Sequence, residues 1–376
     1  MEAVLQVVQR INFYLSDYIL VFLLIGTGLY FSVRTRFVQV RCFGEGMRSV
    51  FGEFNMRGGR QRGGLSSFQA LTTAIAAQVG TGNIIGACGA ILLGGPGAIF
   101  WMWIIAFFGM ATIYAEAVLA AVVFLGGIQR IAGVTEKLVP VMAALYLLGG
   151  LVVLVCRIRY LPEAVGMIFR YAFVPNAIIG GSLGYALKMA VSQGVKRGLF
   201  SNEAGMGSTP HAHAMAKVKH PHEQGVVAMT GVFIDTFVVL TMTALVVIST
   251  LYAGNGILSA GAAEGVSKAN MAQLAFGTVL GSRAGSMFVA VCLLFFAFST
   301  ILSWNFFGRL NVSWLLGEKA VGVYSVLAIG FIFLGSCLSN DLVWELADLF
   351  NQLMVLPNVL ALVTLGGLVA AACRRK

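Results

Sequence analysis

Apolar residues occur in runs of about 20 along most of the chain, which is the length that an α-helix needs to cross a bilayer. Nine membrane-spanning helices are predicted, at 12–33, 69–92, 98–125, 138–156, 173–193, 225–252, 285–307, 321–338 and 344–372. The first run follows Glu2 and a single Arg10, and no small-residue cleavage site comes after it. We therefore expect this run to remain as a helix and not to be removed as a signal peptide.

Composition supports the membrane assignment. Of 376 residues, 59% are apolar and only 11% are charged, whereas soluble proteins carry about 25% charged residues. Soluble enzymes, nucleic-acid readers and disordered scaffolds are thereby excluded. The cysteines show no CxxC or paired spacing, so neither a disulfide framework nor a zinc site is indicated; they are Cys42, Cys88, Cys156, Cys292, Cys337 and Cys373.

The basic residues that give the net charge of +10 are concentrated in particular loops between the predicted spans. Basic residues crowd the loop after the first span, at Arg34, Arg36, Arg41, Arg48, Arg57, Arg60 and Arg62. By the positive-inside rule this loop is cytoplasmic, so nine spans put the N-terminus outside and the basic C-terminus, 374–376, in the cytoplasm. The charge is thus a topology signal, and nucleic acid is not needed to explain it.

The second predicted span contains an interruption where a straight helix is disfavoured. Gly80 and Gly82 flank Thr81 near its middle, with Gln78 and Asn83 on either side. An unwound turn at membrane depth is tolerated where protein or a water-filled cavity satisfies its backbone, and such broken helices bind ions and carboxylates. The alternative is a seam of small residues for close helix packing. The two amides favour the binding site, because a packing seam does not need them.

A second polar, glycine-rich stretch, 198–208, includes Asn202 and Glu203 and is predicted on the cytoplasmic side. It is either a gate or a loop, and an isolated glutamate in a loop is expected to be solvated. All four histidines follow it, at His211, His213, His220 and His222. Their HxH spacing could bind a metal, but no cysteine or carboxylate pair is close in sequence, so a solvated loop is the expectation.

Four more candidate residues lie within predicted spans. Ser299 and Thr300 could offer hydroxyl oxygens to a hard cation, or could simply bond back to the preceding helical turn. Trp304 shares a helix face with Thr300 at i+4, unless it is an interfacial anchor. Asp235 is ionisable at membrane depth, which makes it a functional candidate.

In these motifs the chain resembles the alanine/glycine:cation symporter family, also called the sodium:alanine symporter family. The segments that carry the resemblance are 78–84, 198–208, 231–236, 297–304 and 341–348. The match runs over nearly the whole chain in the family's order, and several of the motifs are long enough to be specific.

The resemblance implies a secondary transporter that takes up alanine or glycine with sodium or protons across the bacterial inner membrane, with no cofactor beyond the coupling ion. It implies an all-α polytopic fold of two inverted five-helix repeats, like that of the leucine transporter. Residues 1–376 would then form one transporter domain, with an extra helix at 12–33, an incomplete first repeat at 69–156 and a second repeat at 173–372.

The resemblance also implies site residues. The substrate residues would be Gln78, Gly80, Thr81, Gly82, Asn83, Thr300 and Trp304. Sodium would be bound by the hydroxyls of Ser299 and Thr300 and a carbonyl of the broken helix at Gly80. Asn202, Glu203 and Asp235 match family motifs and are assigned to gating or coupling.

The chain departs from the family near Ala120. Family members have a hydrophilic loop with a Gly-Gly-Pro motif and further helices after the segment at 114–117, whereas here 115–122 runs directly into 124–128. About two helices are missing, and the remnants are expected to be fused in the span 98–125. Loss of two spans preserves the orientation of everything downstream.

The missing segments would be core helices 3 and 4, and helix 3 lines the substrate pocket in this fold. Two functions therefore stay open: a coupled symporter, or a transport-incompetent truncated family member that acts at most as a passive membrane protein. A membrane enzyme is disfavoured and no catalytic residue is expected, because the sequence has no HExxH, GxSxG or paired-carboxylate motif. Sodium or proton coupling, the preferred amino acid and the oligomeric state are not decided by the sequence.

Overall fold

A computed structural model describes residues 2–52, 65–123, 129–174, 183–259 and 264–374. Within these ranges the chain is helical apart from turns and one parallel bridge between Leu65 and Ala216. The α-helices are α1 (Glu2–Tyr14), α2 (Val21–Arg34), α3 (Val38–Arg41), α4 (Phe43–Gly52), α5 (Ser67–Gln78), α6 (Ala87–Gly94), α7 (Ala98–Val123), α8 (Gln129–Cys156), α9 (Leu161–Phe173), α10 (Leu183–Asn202), α11 (Pro210–His213), α12 (Pro221–Val232), α13 (Thr241–Val247), α14 (Met271–Leu280), α15 (Ser282–Leu316), α16 (Glu318–Cys337) and α17 (Asn340–Arg374).

Some of these helices continue into wider π-helical turns, which in proteins are frequently found at functional sites. One π segment joins the broken second span to α6, and another lies in the middle of the helix that begins with α12. The π segments are Leu15–Leu20, Gly82–Gly86, Phe233–Leu240 and Ile248–Tyr252, and a short 3₁₀ turn spans Ile158–Tyr160.

The described residues contain six helices that are long and apolar enough to cross a membrane, and a seventh if the bent pair α5 and α6 counts as one span. The six are Ala98–Ala120, Gly133–Cys156, Pro221–Tyr252, Ser282–Leu316, Glu318–Cys337 and Asn340–Cys373. The structure thus fits a polytopic helical membrane protein. Of the predicted nine, the spans at 12–33 and 173–193 do not reach this standard.

Each of these two differences has a physical reason. The first predicted span is covered by α1, a π turn and α2, of which only the 14-residue α2 is apolar. Of the second predicted span, the described part belongs mainly to α10, whose Lys188, Lys196 and Arg197 are more charge than a lipid-facing helix tolerates. Residues 175–182, within that predicted span, lie outside the described residues.

Helix α10 is packed inside the bundle, against α7. A Cβ on Gly194 would lie 2.6 Å from both the Ala98 carbonyl oxygen and the Trp101 Cβ, so only glycine allows this approach. Small residues allow membrane helices to pack backbone to backbone in this way. The interior position of α10 explains how it can carry charge, because its cations are matched by other helices.

The principal match is a buried ion pair between α10 and α17. The Arg197 guanidinium nitrogens lie 2.9 and 3.0 Å from the two carboxylate oxygens of Asp348, and Lys196 lies 2.8 Å from one of them. Arg197 also lies over the Trp344 ring, 5.1 Å from its centroid. The arrangement is bidentate, which is the strongest geometry for such pairs, and it fixes α17 beside α10.

Helix α8 contacts α5 near the first turns of both helices. Gln69, in the capping box that Ser66 forms at the start of α5, donates from Nε2 to Glu136 at 2.9 Å. The hydroxyls of Thr73 and Thr135 are 3.2 Å apart. The expected fused span is a single helix as far as Val123, and the expected junction at 124–128 lies outside the described residues.

Replacing Asp348 by alanine is predicted to destabilise the protein. Because Arg197 would stay buried without its carboxylate, the expected cost is about 3–5 kcal/mol, seen as a lower midpoint of thermal unfolding of the detergent-purified protein. Asp341→Ala is the matched control: Asp341 pairs with Lys268 at 3.1 Å but is 70% exposed, and exposed pairs contribute about 0–1 kcal/mol. Equal midpoints for the two variants would contradict the structural role of the buried pair.

Candidate functional site

The predicted break in the second span exists, and Asn83 stabilises it. Helix α5 ends at Gln78 and the chain resumes as a π turn at Gly82, with a 49° bend between the two halves. The Gly80 N–H donates to Asn83 Oδ1 at 2.9 Å, and the Asn83 N–H donates to the Gly80 carbonyl at 3.2 Å. Asn83 thus satisfies backbone groups that the unwound turn would otherwise leave unpaired inside a membrane.

The Asn83 side chain is held by the buried carboxylate of Asp235. Asn83 Nδ2 donates to Asp235 Oδ1 at 2.7 Å, and the hydroxyls of Ser201 and Thr236 each donate to Oδ2 at 2.9 Å. Asn202 Nδ2 lies 3.3 Å from Thr236 Oγ1. One polar network therefore joins three separate segments: the π turn after the break, the end of α10 and the π segment that contains Asp235.

The end of α10 also contacts the first half of the broken helix. Gln78 Nε2 donates to the Asn202 carbonyl at 2.8 Å. A Cβ on Gly82 would lie 2.9 Å from the Phe200 ring and 3.3 Å from the Ser201 Cα. Gln78 Oε1 is buried and has no hydrogen-bond partner among the described residues, so an amide oxygen is available at this contact. Thr81, the remaining predicted residue of the break, is partly exposed.

Thr300 of α15 faces the break, as predicted. Its hydroxyl lies 2.9 Å from the Phe296 carbonyl oxygen and 3.3 Å from that of Ala76 in α5. A Cβ on Gly80 would collide with Thr300 Oγ1, so this hydroxyl lies directly against the unwound turn. The carbonyl of Ala76 was not predicted, since no sequence pattern distinguishes one helical carbonyl from another.

Ser299 faces a different helix. Its hydroxyl lies 3.4 Å from the Met142 sulfur of α8 and 3.0 Å from the Phe296 carbonyl oxygen. The two neighbouring hydroxyls thus point to separate surroundings, and only that of Thr300 has a contact with the broken helix.

Trp304 connects α15 to the second polar stretch. Its indole N–H donates to Glu203 Oε1 at 3.0 Å, and the Ser208 hydroxyl donates to Oε2 at 2.6 Å. Glu203 is 2% exposed and has a left-handed backbone with φ of 56°. The expectation of a solvated glutamate is therefore wrong: the segment after α10 folds inward and its carboxylate is fully hydrogen-bonded.

The histidines do not form the solvated group that was expected. His213 and His222 are buried and only His220 is exposed. Burial lowers the pKa of His213 to about 3, so this ring is neutral, and its Nδ1 lies 2.7 Å from Gln224 Nε2. His211 bonds to Asn311 instead. Neither HxH pair converges on a common metal position in the described residues.

The arrangement brings together most of the predicted residues: Gln78, Gly80, Gly82, Asn83, Asn202, Asp235 and Thr300 are linked directly or through one another. Ser201 and Ser208, which hold the two buried carboxylates, were not predicted as site residues. Both lie in the polar stretch at 198–208, which was the available signal. What such a site can do is bind a small polar ligand or hard cation with amide, hydroxyl and carbonyl oxygens.

Comparison with known proteins identifies the family. The model of the sodium:alanine symporter family matches residues 1–122 and 117–375. A sodium/alanine symporter of Methanococcus maripaludis is 35% identical, over 96% of this chain and 94% of its own length. An uncharacterized transporter of Haemophilus influenzae is also 35% identical (92% and 90%), and a probable sodium/glutamine symporter of Bacillus subtilis is 32% identical (100% and 91%).

The matches also bear on the predicted deletion. The two family matches meet at 117–122, where the sequence departs from the family pattern. The alignment with the Methanococcus protein extends over 441 positions, although this chain has only 376 residues. The relatives thus have residues that this chain lacks, consistent with an internal deletion near Ala120. The family is one of transporters and not of enzymes, and this chain belongs to the sodium:alanine symporter family.

Proposed function

We propose that this chain is a secondary active transporter for alanine or glycine, driven by sodium or protons, in the bacterial plasma membrane. The observation that carries the proposal is the convergence of the broken helix, the end of α10 and Thr300 on one buried polar site. Oxygen ligands of this kind suit a hard cation, and broken helices near the midplane bind substrates and ions in many transporters. No catalytic residue and no cofactor besides the coupling ion is proposed.

The ion would bind between the broken helix and α15. Thr300 Oγ1 and the Ala76 carbonyl oxygen are 3.3 Å apart, and Gly80 leaves room beside them because it has no side chain. Ser299, assigned to the ion by the family resemblance, would have to turn from Met142 to take part. Asp235 is the alternative carrier of charge if the coupling ion is a proton.

The substrate would bind at the unwound turn. Its carboxylate would meet the N–H groups of Thr81 and Gly82, beside Asn83 at the start of the second half-helix, where the helix dipole favours an anion. Its ammonium would face helix carbonyls and the buried Gln78 Oε1. Trp304 would limit the size of the side chain, and its bond to Glu203 would link the site to the segment around Asn202 as a gate.

The fold we propose is the family's pair of inverted five-helix repeats after one extra helix at 12–33. The first repeat, 69–156, is incomplete, and the second is 173–372. The contact between Gln78 and Asn202 supports this, because it joins the interruption in the first predicted repeat to the interruption in the second. With the basic loops inside, the N-terminus would be outside and the C-terminus cytoplasmic.

A second candidate is a transport-incompetent truncated member or passive membrane protein. The two-part family match favours it, because the missing segment includes the helix that lines the substrate pocket in the family fold. Transport requires the site to close on each side in turn, and a site without one wall would leak.

Uptake by reconstituted protein is expected to distinguish the two candidates. Proteoliposomes containing the 376-residue chain should accumulate labelled alanine or glycine when an inward sodium gradient is imposed, and a proton gradient should be tested in parallel. Protein-free liposomes give the background. If the protein is shown to be monodisperse and inserted but produces no accumulation with either gradient, the chain is a defective or passive family member.

Thr300→Ala is predicted to raise the sodium concentration needed for half-maximal uptake by about tenfold or more. The variant loses one hydroxyl contact to the ion, and a loss of about 1.4 kcal/mol weakens binding tenfold. Alanine affinity at saturating sodium should change less. Ser325→Ala is the matched control, because this hydroxyl also donates to a carbonyl of the preceding helical turn, that of Val321 at 2.8 Å, and lies outside the candidate site. An unchanged sodium dependence in Thr300→Ala would remove Thr300 from the ion site.

Trp304→Ala is predicted to widen selectivity towards larger amino acids, measured as competition against labelled alanine uptake. Trp304→Phe keeps most of the ring volume but removes the N–H that donates to Glu203, so it should retain the preference for small substrates while slowing uptake. Loss of alanine uptake by Trp304→Ala with no gain of larger substrates would show that this ring does not set substrate size.

A further inference from the structure

A group of metal-ligating side chains lies apart from the residues of the candidate transport site. Cys42, Glu45 and His222 offer ligand atoms that all lie within 4.8 Å of one another. Cys42 and His222 are buried and Glu45 is partly exposed. The group joins the segment at Cys42 and Glu45 to the start of α12. These segments are almost 180 residues apart, so no local sequence pattern indicated the group.

The separation of the ligand atoms suits zinc. His222 Nε2 lies 3.4 Å from Glu45 Oε1. Bond lengths of about 2.0–2.2 Å from zinc to nitrogen and oxygen, at a tetrahedral angle, put two such ligands about 3.4 Å apart. The two atoms therefore already lie at the spacing that a shared ion requires, and the Cys42 sulfur lies within reach of both.

Backbone packing fixes this spacing. Helix α4 lies against α12 at Gly46, where a Cβ would collide with Thr230 Oγ1 and lie 2.6 Å from the Val226 carbonyl oxygen. Val226 and Thr230 follow His222 by one and two helical turns, on the same face. Glu45, next to Gly46, is thus placed beside His222 by a contact between main chains, so little reorganisation is needed for binding.

The second ring nitrogen of His222, Nδ1, has a hydrogen-bond partner, as metal-binding histidines commonly do. His222 Nδ1 lies 2.7 Å from the hydroxyl of Tyr114, which is fully buried. When Nδ1–H donates to this oxygen, Nε2 presents its lone pair towards Glu45 and Cys42. Metal-ligating histidines are commonly oriented by such a second hydrogen bond, whose loss costs about 10–100-fold in affinity.

We propose that Cys42, Glu45 and His222 bind a divalent transition-metal ion of the zinc type, with Tyr114 as the positioning residue. A thiolate, an imidazole and a carboxylate are all zinc ligands, and three protein ligands leave the fourth position for water. The ion clamps α4 and the loop before it to α12. This site is independent of sodium and of the transported amino acid.

Cobalt binding tests the proposal, because a thiolate bound to Co²⁺ gives charge-transfer absorption in the near ultraviolet and tetrahedral Co²⁺ gives intense d–d bands. The titration uses detergent-purified protein with both exposed thiols removed (Cys156→Ser, Cys337→Ser). We expect one Co²⁺ per chain, displaced by Zn²⁺. Cys42→Ser should lose the charge-transfer band, while His222→Gln and Glu45→Gln should weaken binding at least tenfold.

Two further variants sharpen the test. Tyr114→Phe should weaken binding about 10–100-fold but keep the charge-transfer band. Cys292→Ser is the matched control, since this thiol is also buried and is not one of the three ligands, so its cobalt spectrum should be unchanged. Absence of stoichiometric cobalt absorption in the monodisperse parent, or a band that survives Cys42→Ser, would overturn the proposal. Both readouts are independent of transport.

Discussion

The structure depends on one buried carboxylate. An unwound turn inside a bilayer has no water to pair with its N–H and C=O groups, so the protein itself must supply partners. Asn83 supplies them at Gly80, and Asp235 in turn holds Asn83 by accepting its amide hydrogen at 2.7 Å. Burying a carboxylate is costly unless it is well hydrogen-bonded, and two hydroxyl donors complete its coordination. The break and the acid are thus each stable only in the presence of the other.

This constraint extends to the helices around it. Ser201, one of the two hydroxyl donors, is at the end of α10, so this end of α10 lies beside Asp235. The ion pair of Arg197 with Asp348, one turn earlier on α10, then brings α17 to the same place. On the other side, α8 contacts both α5 and α15, through Thr135 and through the ring of Tyr146 against Phe296. The described helices therefore surround the break on several sides, although the chain lacks residues that its relatives have.

Local pattern was enough to predict the features that depend on neighbouring residues. Hydropathy located most spans, and two glycines beside two amides located the break, because an interrupted helix needs both conformational freedom and polar partners nearby. Local pattern failed where a residue's environment is set by a partner that is distant in sequence. Glu203 looked like a loop residue, but Trp304, about a hundred positions later, donates to it; Ser299 and Thr300 looked equivalent, but helical rotation directs them to Met142 and to Ala76. The partner of Arg197 in α10 was likewise not predicted, because Asp348 lies in the last helix, 151 positions later.

Trp304 links α15 to the segment that follows α10, in addition to the contact of that segment with Gln78. Its ring is one helical turn from Thr300, and its N–H holds the carboxylate of Glu203, whose left-handed backbone begins the turn after α10. A hydrogen bond contributes about 0.5–1.5 kcal/mol, so rotation of this indole away from Glu203 would release a residue with a left-handed backbone as well as a bond. Any ligand that moves the ring therefore changes the free energy of the segment that follows α10. The Asn202 carbonyl of the same segment accepts a hydrogen bond from Gln78 at the break. A ligand that binds beside Trp304 therefore changes the free energy of the contact at Gln78.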